Sequence, residues 1–269
     1  MMQSDSAEKP EGMFPISSLA LTGRTALVTG AGSGFGAEIS RVFASAGANV
    51  IAFDQNQQSV ENVSREISRA GLSALPIAGD VTISTDLERA LKLAVDRFGQ
   101  LDVLVNNAGV VAHQASIEET SETDFDRMFA VNVKGVFLAT RTTLPVFRRQ
   151  QRGWIVNIAS GSALRPRPGA SVYSASKGAV IAFTKALALE AAPFGIRANV
   201  ICPALARTPL LEAFVGEDDP RIWAELAAQI PLGRLITATD VALATLWLCS
   251  DSASMITGTC LPVDGGRCI

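Results

Sequence analysis

Tyr173 and Lys177 are the residues whose types and spacing most directly suggest chemistry. Tyr173 is the only tyrosine of the chain, and Lys177 follows it four positions later. Side chains at positions i and i+4 share one face of a helix, so we expect the two groups to be neighbours. A free tyrosine titrates near pH 10, and a base for use near neutral pH needs that pKa lowered by roughly 2–3 units. A neighbouring ammonium favours the phenolate, so the spacing predicts a pair that transfers protons.

Ser160 and Ser162 lie just beyond the end of a predicted strand and precede this pair. A serine hydroxyl at that place could donate a hydrogen bond to a substrate oxygen on which charge develops. We assign that role to Ser160 and treat Ser162 as a rival for part of it. Either serine could instead only cap a loop.

A glycine-rich segment runs from Thr29 to Gly36 and joins a predicted strand to a predicted helix. Glycines allow a tight turn and the close approach of a pyrophosphate, and the start of a helix offers free N–H groups to it. The segment therefore predicts a dinucleotide site rather than a flexible loop. Its cofactor-binding residues are predicted to be Gly30, Ser33, Gly34, Phe35 and Gly36.

Asp54 closes the second predicted strand, 24 residues after Gly30. A carboxylate there can accept hydrogen bonds from ribose hydroxyls and would repel the 2′-phosphate of NADP. Position 33 is Ser, Gln55 follows Asp54, and Arg41 is expected on the helix well past the turn. No cation is placed to receive a 2′-phosphate, so we expect NAD rather than NADP.

These residues are positioned by short apolar runs that alternate with longer amphipathic segments. Strands are predicted at 25–29, 48–53, 74–78, 101–105, 154–159, 196–201 and 259–262. Helices are predicted at 34–47, 57–70, 84–98, 121–150, 172–192 and 239–249. The alternation predicts an α/β fold, a doubly wound parallel sheet with helices on both faces. Residues 19–269 are taken as one domain, residues 1–18 as a flexible tail, and residues 204–231 as a substrate lid.

Composition argues against several other classes of protein. The net charge is −3 and the pI about 5.3, without a basic run of the kind that binds nucleic acid. Residues 1–18 are polar, so neither a signal peptide nor a membrane span is expected there. The single histidine, His113, excludes a multi-histidine zinc site, and the four cysteines lack metal-ligand spacing. We expect no metal, reduced thiols and a cytoplasmic location.

Taken together, the motifs resemble the single-domain branch of the short-chain dehydrogenase/reductase (SDR) family, which has a Rossmann-like fold. The resemblance covers residues 20–266 and rests on the following motifs in order: Thr29–Gly36, Asp80-Val81, Asn106-Asn-Ala-Gly109, Asn132, and Ser160 with Tyr173 and Lys177. It implies that Tyr173 is the general acid/base, that Ser160 polarises the substrate oxygen, and that Lys177 also binds the cofactor. It further implies that Asn132 holds a water of the proton relay. Other cofactor contacts implied by it are Asp80, Val81, Asn107, Ala108, Gly109, Pro203, Ala206 and Thr208.

For the reaction, the resemblance implies hydride transfer between a nicotinamide cofactor and a secondary alcohol or its ketone, in a homotetramer. The family usually has Gly after the Pro at position 203, whereas this chain has Ala204, which could reshape the pocket floor. Ser160, Ser162, Tyr173, His113 and Leu205 are the predicted substrate contacts, and Leu210 and Phe214 are further candidates. Arg165 and Arg167 could bind an acidic substrate or could be solvated loop residues.

Two alternatives remain open. Ketoreductases acting on acyl-carrier-protein substrates are similar, but they often place Arg where this chain has Phe194, and they tend to use NADPH. A dinucleotide-binding scaffold without turnover is the other alternative. The presence of all four of Asn132, Ser160, Tyr173 and Lys177 argues against the scaffold. We therefore expect an NAD-linked dehydrogenase of a polyol, sugar or similar small-molecule alcohol.

Overall fold

A computed structural model describes residues 19–207 and 219–269. Its strands are β1 (Thr25–Thr29), β2 (Asn49–Asp54), β3 (Ala74–Ala78), β4 (Val103–Asn106), β5 (Gly153–Ile158), β6 (Ile196–Pro203) and β7 (Cys260–Val263). They form one parallel sheet in the order β3-β2-β1-β4-β5-β6-β7. The doubly wound parallel sheet predicted from the sequence is confirmed.

The helices are α1 (Gly34–Ser45), α2 (Gln57–Arg69), α3 (Ser84–Phe98), α4 (Glu122–Phe129), α5 (Gly135–Gln150), α6 (Ser171–Ala191), α7 (Pro220–Ala228) and α8 (Ala238–Leu248). The single helix expected over 121–150 is wrong in one respect: a π-helical turn, Ala130–Lys134, separates α4 from α5. Strand β6 continues two residues beyond its predicted end, because Cys202 and Pro203 pair with Pro262 and Val263 of β7.

Both faces of the sheet are covered, and β1 shows how its sequence achieves this. Ala26 and Val28 belong to one apolar cluster, with Phe43 of α1 and Leu246 of α8. Leu27, between them, belongs to the cluster on the other face, with Phe147 of α5. Successive side chains of a strand point to opposite faces, so a strand buried on both sides must be a continuous apolar run.

The strand order reverses between β1 and β4, because the chain builds outward from β1 in both directions. In open parallel sheets, the crevice outside the carboxyl ends of the strands at such a reversal is where ligands bind. Residues 30–36, 54 and 107–109 follow the carboxyl ends of β1, β2 and β4 and therefore meet at this crevice.

Some predicted features lie outside the described residues: the tail at 1–18, and Thr208, Leu210 and Phe214 of the predicted lid. The later part of that segment contains α7, whose N-cap Asp219 accepts a hydrogen bond from the backbone N–H of Arg221. None of the described helices combines the length and apolar character needed to cross a membrane. The four cysteines are free, and Cys202 Sγ lies 3.3 Å from Cys260 Sγ.

Candidate active site

The glycine-rich turn between β1 and α1 packs tightly against the loop after β4. Gly30 has a φ of +66°, and a Cβ there would lie 2.8 Å from Asn107 Nδ2 and 2.9 Å from Ala108 Cα. A Cβ on Gly36 would overlap the carbonyl oxygen of Gly30. The Asn107 amide donates to the carbonyl oxygens of Thr29 and Gly30, at 3.0 Å each. Close packing of the two loops therefore requires glycine at positions 30 and 36.

The start of α1 is left open for an anion. Its N-cap, Ser33, is extended and makes no side-chain hydrogen bond to the helix, and the first turn contains no acidic residue. The unpaired N–H groups and the positive end of the helix dipole are suited to a phosphate. Ser33, Gly34 and Phe35 all line the adjoining cavity.

Asp54 is held beside the same turn at the end of β2. One carboxylate oxygen accepts the N–H of Gly32 and the other accepts the N–H of Asn56, both at 2.9 Å. Arg41, the nearest cation considered in the sequence, is engaged elsewhere: it pairs with Glu66 at 2.8 Å. The cavity therefore presents a fixed carboxylate at this end, and Arg41 does not neutralise it.

A cavity of about 290 Å³ joins these elements to the predicted catalytic helix. Its walls include the predicted residues Gly30, Ser33, Gly34, Phe35, Asp54, Asp80, Val81, Asn107, Ala108, Gly109, Tyr173 and Lys177. The remaining lining residues were not predicted as cofactor contacts: Phe53, Gln55, Gly79, Val110, Arg127, Val131, Ile158 and Ala159. Most of these are chain neighbours of a motif residue at a strand end, which is the signal that could have identified them.

Asn132 lies in the π-helical turn and is fully buried. Its Oδ1 accepts the N–H of Val110 at 2.8 Å, and its Nδ2 donates to the Val110 carbonyl at 2.9 Å and to Ser176 Oγ at 3.0 Å. Ser176 in turn donates to the carbonyl oxygen of Tyr173. Single π turns within helices are frequent at functional sites, and this one connects the loop after β4 to the catalytic helix.

Tyr173 and Lys177 lie one turn apart on α6, as predicted. Lys177 Nζ donates to the carbonyl oxygen of Ile158 at 2.9 Å and lies 6.0 Å from the centroid of the Tyr173 ring. A Cβ on Gly109 would lie 3.1 Å from Nζ, so the absent side chain leaves room for the ammonium. The ammonium is therefore fixed near the phenol by the end of β5.

The pKa of Tyr173 differs from the expectation. Burial raises it above the ordinary tyrosine value, while a hydrogen bond with Ser160 acts in the opposite direction. Burial lowers the pKa of Lys177 to about 8. Desolvation disfavours the charged form of each group and is the first cause of both shifts. The lowered pKa that the sequence predicts for Tyr173 is therefore not produced by Tyr173 and Lys177 alone.

Ser160 follows β5 and faces the phenol. It is an extended residue, and its Oγ accepts the backbone N–H of Ser162 at 3.1 Å at the start of a short 3₁₀ turn, Gly161–Ala163. Its side chain also lowers the pKa of Tyr173, opposing the effect of burial on that phenol. The loop-capping role and the substrate-facing role considered for Ser160 are therefore compatible.

A chain of buried amides supports the site from below. Asn106 Nδ2 donates to Asn157 Oδ1, and Asn157 Nδ2 donates to Thr184 Oγ1, each at 2.8 Å. These hydrogen bonds link β4, β5 and α6, and so fix α6 relative to the two central strands. The sequence alone does not indicate this role, because Asn106 belongs to a motif and Asn157 to a predicted strand.

Other predicted contacts lie away from this cavity. Pro203, Leu205 and Ala206 are buried at and beyond the end of β6, and Ala206 pairs with Ile236 in an isolated bridge. His113 is exposed. Ala204 is half-buried, its N–H donating to the Val263 carbonyl at 3.0 Å. Their predicted roles toward cofactor or substrate stay predictions, as does that of Thr208. In the described residues, no group of three or more acidic, histidine or cysteine side chains could hold a metal.

Comparison with known proteins identifies the family. The family model described as enoyl-(acyl carrier protein) reductase, a short-chain dehydrogenase/reductase model, matches residues 30–267. The chain belongs to the short-chain dehydrogenase/reductase family. It is therefore an oxidoreductase of this type, and the family supports an enzyme that acts on CH–OH groups.

Individual relatives agree with this placement in the SDR family. The 4-formylbenzenesulfonate dehydrogenase of Comamonas testosteroni is 42% identical over 92% of this chain and 98% of its own. The 2,5-dichloro-2,5-cyclohexadiene-1,4-diol dehydrogenase of Sphingobium indicum is 38% identical over 91% and 96%. The structure of 3-ketoacyl-(acyl-carrier-protein) reductase from Brucella melitensis with NADH has a TM-score of 0.87 and 42% identity, covering 93% of this chain and all of that one. Family and neighbour together indicate a nicotinamide dinucleotide cofactor.

Proposed function

We propose that the chain is an NAD(H)-dependent dehydrogenase/reductase that interconverts a secondary alcohol and its ketone. The observation that carries the proposal is the place of Tyr173 and Lys177 in the wall of one cavity, with the Lys177 ammonium 6.0 Å from the centroid of the Tyr173 ring. The same cavity is lined by Asp54 and by the start of α1. A proton-transferring phenol in a dinucleotide-sized crevice is what hydride exchange at a carbinol carbon requires.

The proposed mechanism assigns one task to each residue. Ser160 donates a hydrogen bond to the substrate oxygen, and Tyr173 removes the hydroxyl proton during oxidation and returns it during reduction. Lys177 keeps a positive charge beside the phenol, which favours the phenolate. Asn132 holds Val110 and, through Ser176, the backbone of Tyr173; its role in holding a relay water is part of the proposal. A bound nicotinamide would supply the hydride donor or acceptor for the substrate carbon and, when oxidised, a positive charge in the site.

NAD is proposed over NADP because of Asp54. Its carboxylate is fixed by two backbone N–H groups and faces the cavity, where it can accept ribose hydroxyls. A 2′-phosphate at that position would meet a like charge. Gly30, Ser33, Gly34 and Phe35 would hold the pyrophosphate, and Asp80 with Val81 the adenine. Pro203, Ala206 and Thr208 are proposed near the nicotinamide.

The substrate proposal rests on the relatives and on the site. The relatives are named for an aromatic aldehyde, a cyclic diol and a protein-bound 3-ketoacyl group, which share a carbon–oxygen centre. We propose a small alcohol or ketone, with Ser162, His113 and Leu205 as further contacts and 204–231 as the lid. A homotetramer is proposed from family resemblance, and a cytoplasmic location fits four free cysteines.

Reduction of a 3-ketoacyl group is the second candidate function, and it is favoured by the 42% identity to the Brucella protein. Position 194 argues against it, since Phe194 stands where such enzymes often have Arg, and it stacks under Arg148 at 4.6 Å. A panel of secondary alcohols with NAD⁺ tests the proposal, with acetoacetyl thioester and NADPH as the competing assay. Turnover of an alcohol with NAD⁺ supports it. Strong turnover of the thioester with NADPH alone supports the second candidate, and NADH binding without any turnover supports a scaffold.

A further inference from the structure

The chain end folds against the loop that carries Ser160. The backbone N–H of Arg165 donates to the Gly161 carbonyl at 2.8 Å, and Arg165 Nη1 donates to the Arg267 carbonyl at 2.8 Å. Cys268 Sγ contacts the Gly161 carbonyl at 3.6 Å. Arg267 is thus tied to the same short turn that begins at Ser160, where the alcohol oxygen is proposed to bind.

The charges of two further arginines, Arg165 and Arg167, act on Arg267. Burial is the first cause that lowers the pKa of Arg267, and the charges of Arg167 and Arg165 lower it further. Among residues 19–207 and 219–269, none of these three arginines forms an ion pair with a carboxylate side chain. Like charges at short range oppose one another unless an anion joins them.

Arg267 is the residue that most needs such an anion. Its side chain is only 6% exposed, and its Nε is buried without a hydrogen-bond partner. Its Nη2 has one long contact, 3.3 Å to Gln229 Oε1 at the end of α7. The nearby carboxylate of Asp264 accepts the N–H groups of Gly266 and Cys268. It favours the charged form of Arg267, but by less than burial and the two other arginines disfavour it. A buried cation with unused donors is costly, and a bound anion would offset that cost.

We propose that Arg165, Arg167 and Arg267 bind the anionic end, a carboxylate or sulfonate, of the substrate whose alcohol reacts at Tyr173. The inference rests on the proposed function and deepens it by naming the substrate class. Guanidinium groups are suited to planar and tetrahedral oxyanions because they offer paired donors in a fixed fork. The site lies between the Ser160 loop and Gln229, at the end of α7. An acidic group of a second copy of the chain is the competing occupant.

Matched alcohols with and without a carboxylate test the proposal. The pairs are 4-(1-hydroxyethyl)benzoate with 1-phenylethanol, and 3-hydroxybutyrate with 2-butanol, each oxidised with NAD⁺. We expect kcat/KM to favour at least one anionic member by about tenfold or more, mainly through KM. Arg165→Gln and Arg167→Gln should remove most of that preference and leave the neutral alcohol unchanged. Arg69→Gln on α2 is the matched control, since it removes an exposed arginine far from the site.

Arg267→Gln is a stricter variant, but loss of a buried residue could prevent folding. A second readout therefore avoids turnover: 4-acetylbenzoate should raise the thermal midpoint of the wild type, with NADH present, more than acetophenone does. Arg165→Gln should abolish that difference.

The failures of the two proposals are distinguishable. Equal oxidation of neutral and anionic alcohols, with equal thermal shifts, overturns the anion site and leaves the proposed dehydrogenase standing. No turnover of any alcohol with NAD⁺ overturns both. A third outcome is that the arginine variants dissociate the oligomer in sedimentation while the substrate preference stays unchanged. The arginines would then contact a second copy of the chain, and the anion site would be overturned.

Discussion

Lys177 donates its hydrogen bond to the carbonyl oxygen of Ile158, at 2.9 Å, and not to the phenol of Tyr173. Its ammonium still lies 6.0 Å from the centroid of the Tyr173 ring. The lysine ammonium is therefore held by the end of β5 and not by the phenol. Burial raises the pKa of Tyr173 and lowers that of Lys177, so it disfavours the charged form of both groups.

The first prediction concerns stability and pH. The pKa of Lys177 is about 8 in the folded chain and 10.5 ordinarily, so between these values the unfolded chain binds more protons. The contribution of Lys177 to stability should therefore rise with pH across this window, by up to roughly 3 kcal/mol in total. Burial raises the pKa of Cys202, Cys249 and Cys268, which acts in the opposite direction but equally in wild type and variant, so only their difference reports Lys177. Lys177→Met removes the titration. Urea unfolding at pH 7.5, 8.5 and 9.5 measures the difference between wild type and variant, and a pH-independent difference contradicts the assignment.

The second prediction separates crowding from backbone strain at Gly30. Gly30→Ala forces a Cβ within 3 Å of the Asn107 loop as well as an unfavourable positive φ. We expect unfolding to become easier by about 2–4 kcal/mol and NADH affinity to fall more than about tenfold. Gly71→Ala is the control, since Gly71 has a φ of +76° with nothing within 4 Å of its Cβ position. It should cost about 1 kcal/mol and leave NADH binding unchanged. Equal effects of the two substitutions contradict the packing account.

The third prediction concerns cofactor choice. Asp54→Asn removes the charge that faces the cavity but keeps an oxygen for one of the two backbone N–H groups. We expect the ratio of kcat/KM for NADP to that for NAD to rise by about tenfold or more. Asp80→Asn, on another wall of the same cavity, should affect both cofactors equally. If Asp54→Asn leaves the ratio unchanged, Asp54 does not set the preference.

The fourth prediction concerns Asn132. Asn132→Ala removes buried hydrogen bonds of 2.8, 2.9 and 3.0 Å and leaves the backbone of Val110 unpaired. The expected loss of unfolding free energy is about 2–4 kcal/mol, with a fall in kcat. Ser176→Ala removes only one of those partners and should cost about 1 kcal/mol. A smaller loss for Asn132→Ala than for Ser176→Ala would show that the amide does not hold the loop.

Much of the fold could be predicted because the strands are buried on both faces. Strands β1 and β3 begin and end where the apolar runs do, since a parallel sheet covered by helices needs continuous apolar residues. The π turn at Ala130–Lys134 could not be predicted, because its residues fit a helical pattern and differ only in their hydrogen bonds. Likewise, β6 ends at Pro203 only because β7 pairs with it there.

The site shows the same division. Gly30, Asp54, Tyr173 and Lys177 could be placed from their spacing relative to strand ends and a helix turn. The raised pKa of Tyr173 could not, because it depends on how deeply the phenol is buried. Arg267 lies far along the chain from Arg165, and only the fold of the chain end brings the two together.

Substitution of Tyr173 by Phe is the most direct test of the central claim, because it removes one hydroxyl and nothing else. The measurement is kcat for oxidation of an accepted alcohol with NAD⁺, together with the dissociation constant of NADH. The account predicts a fall in kcat of about 10²–10⁴-fold, with the NADH dissociation constant within about threefold of wild type. A variant that keeps most of its kcat would contradict the assignment of Tyr173 as the acid and base of this site.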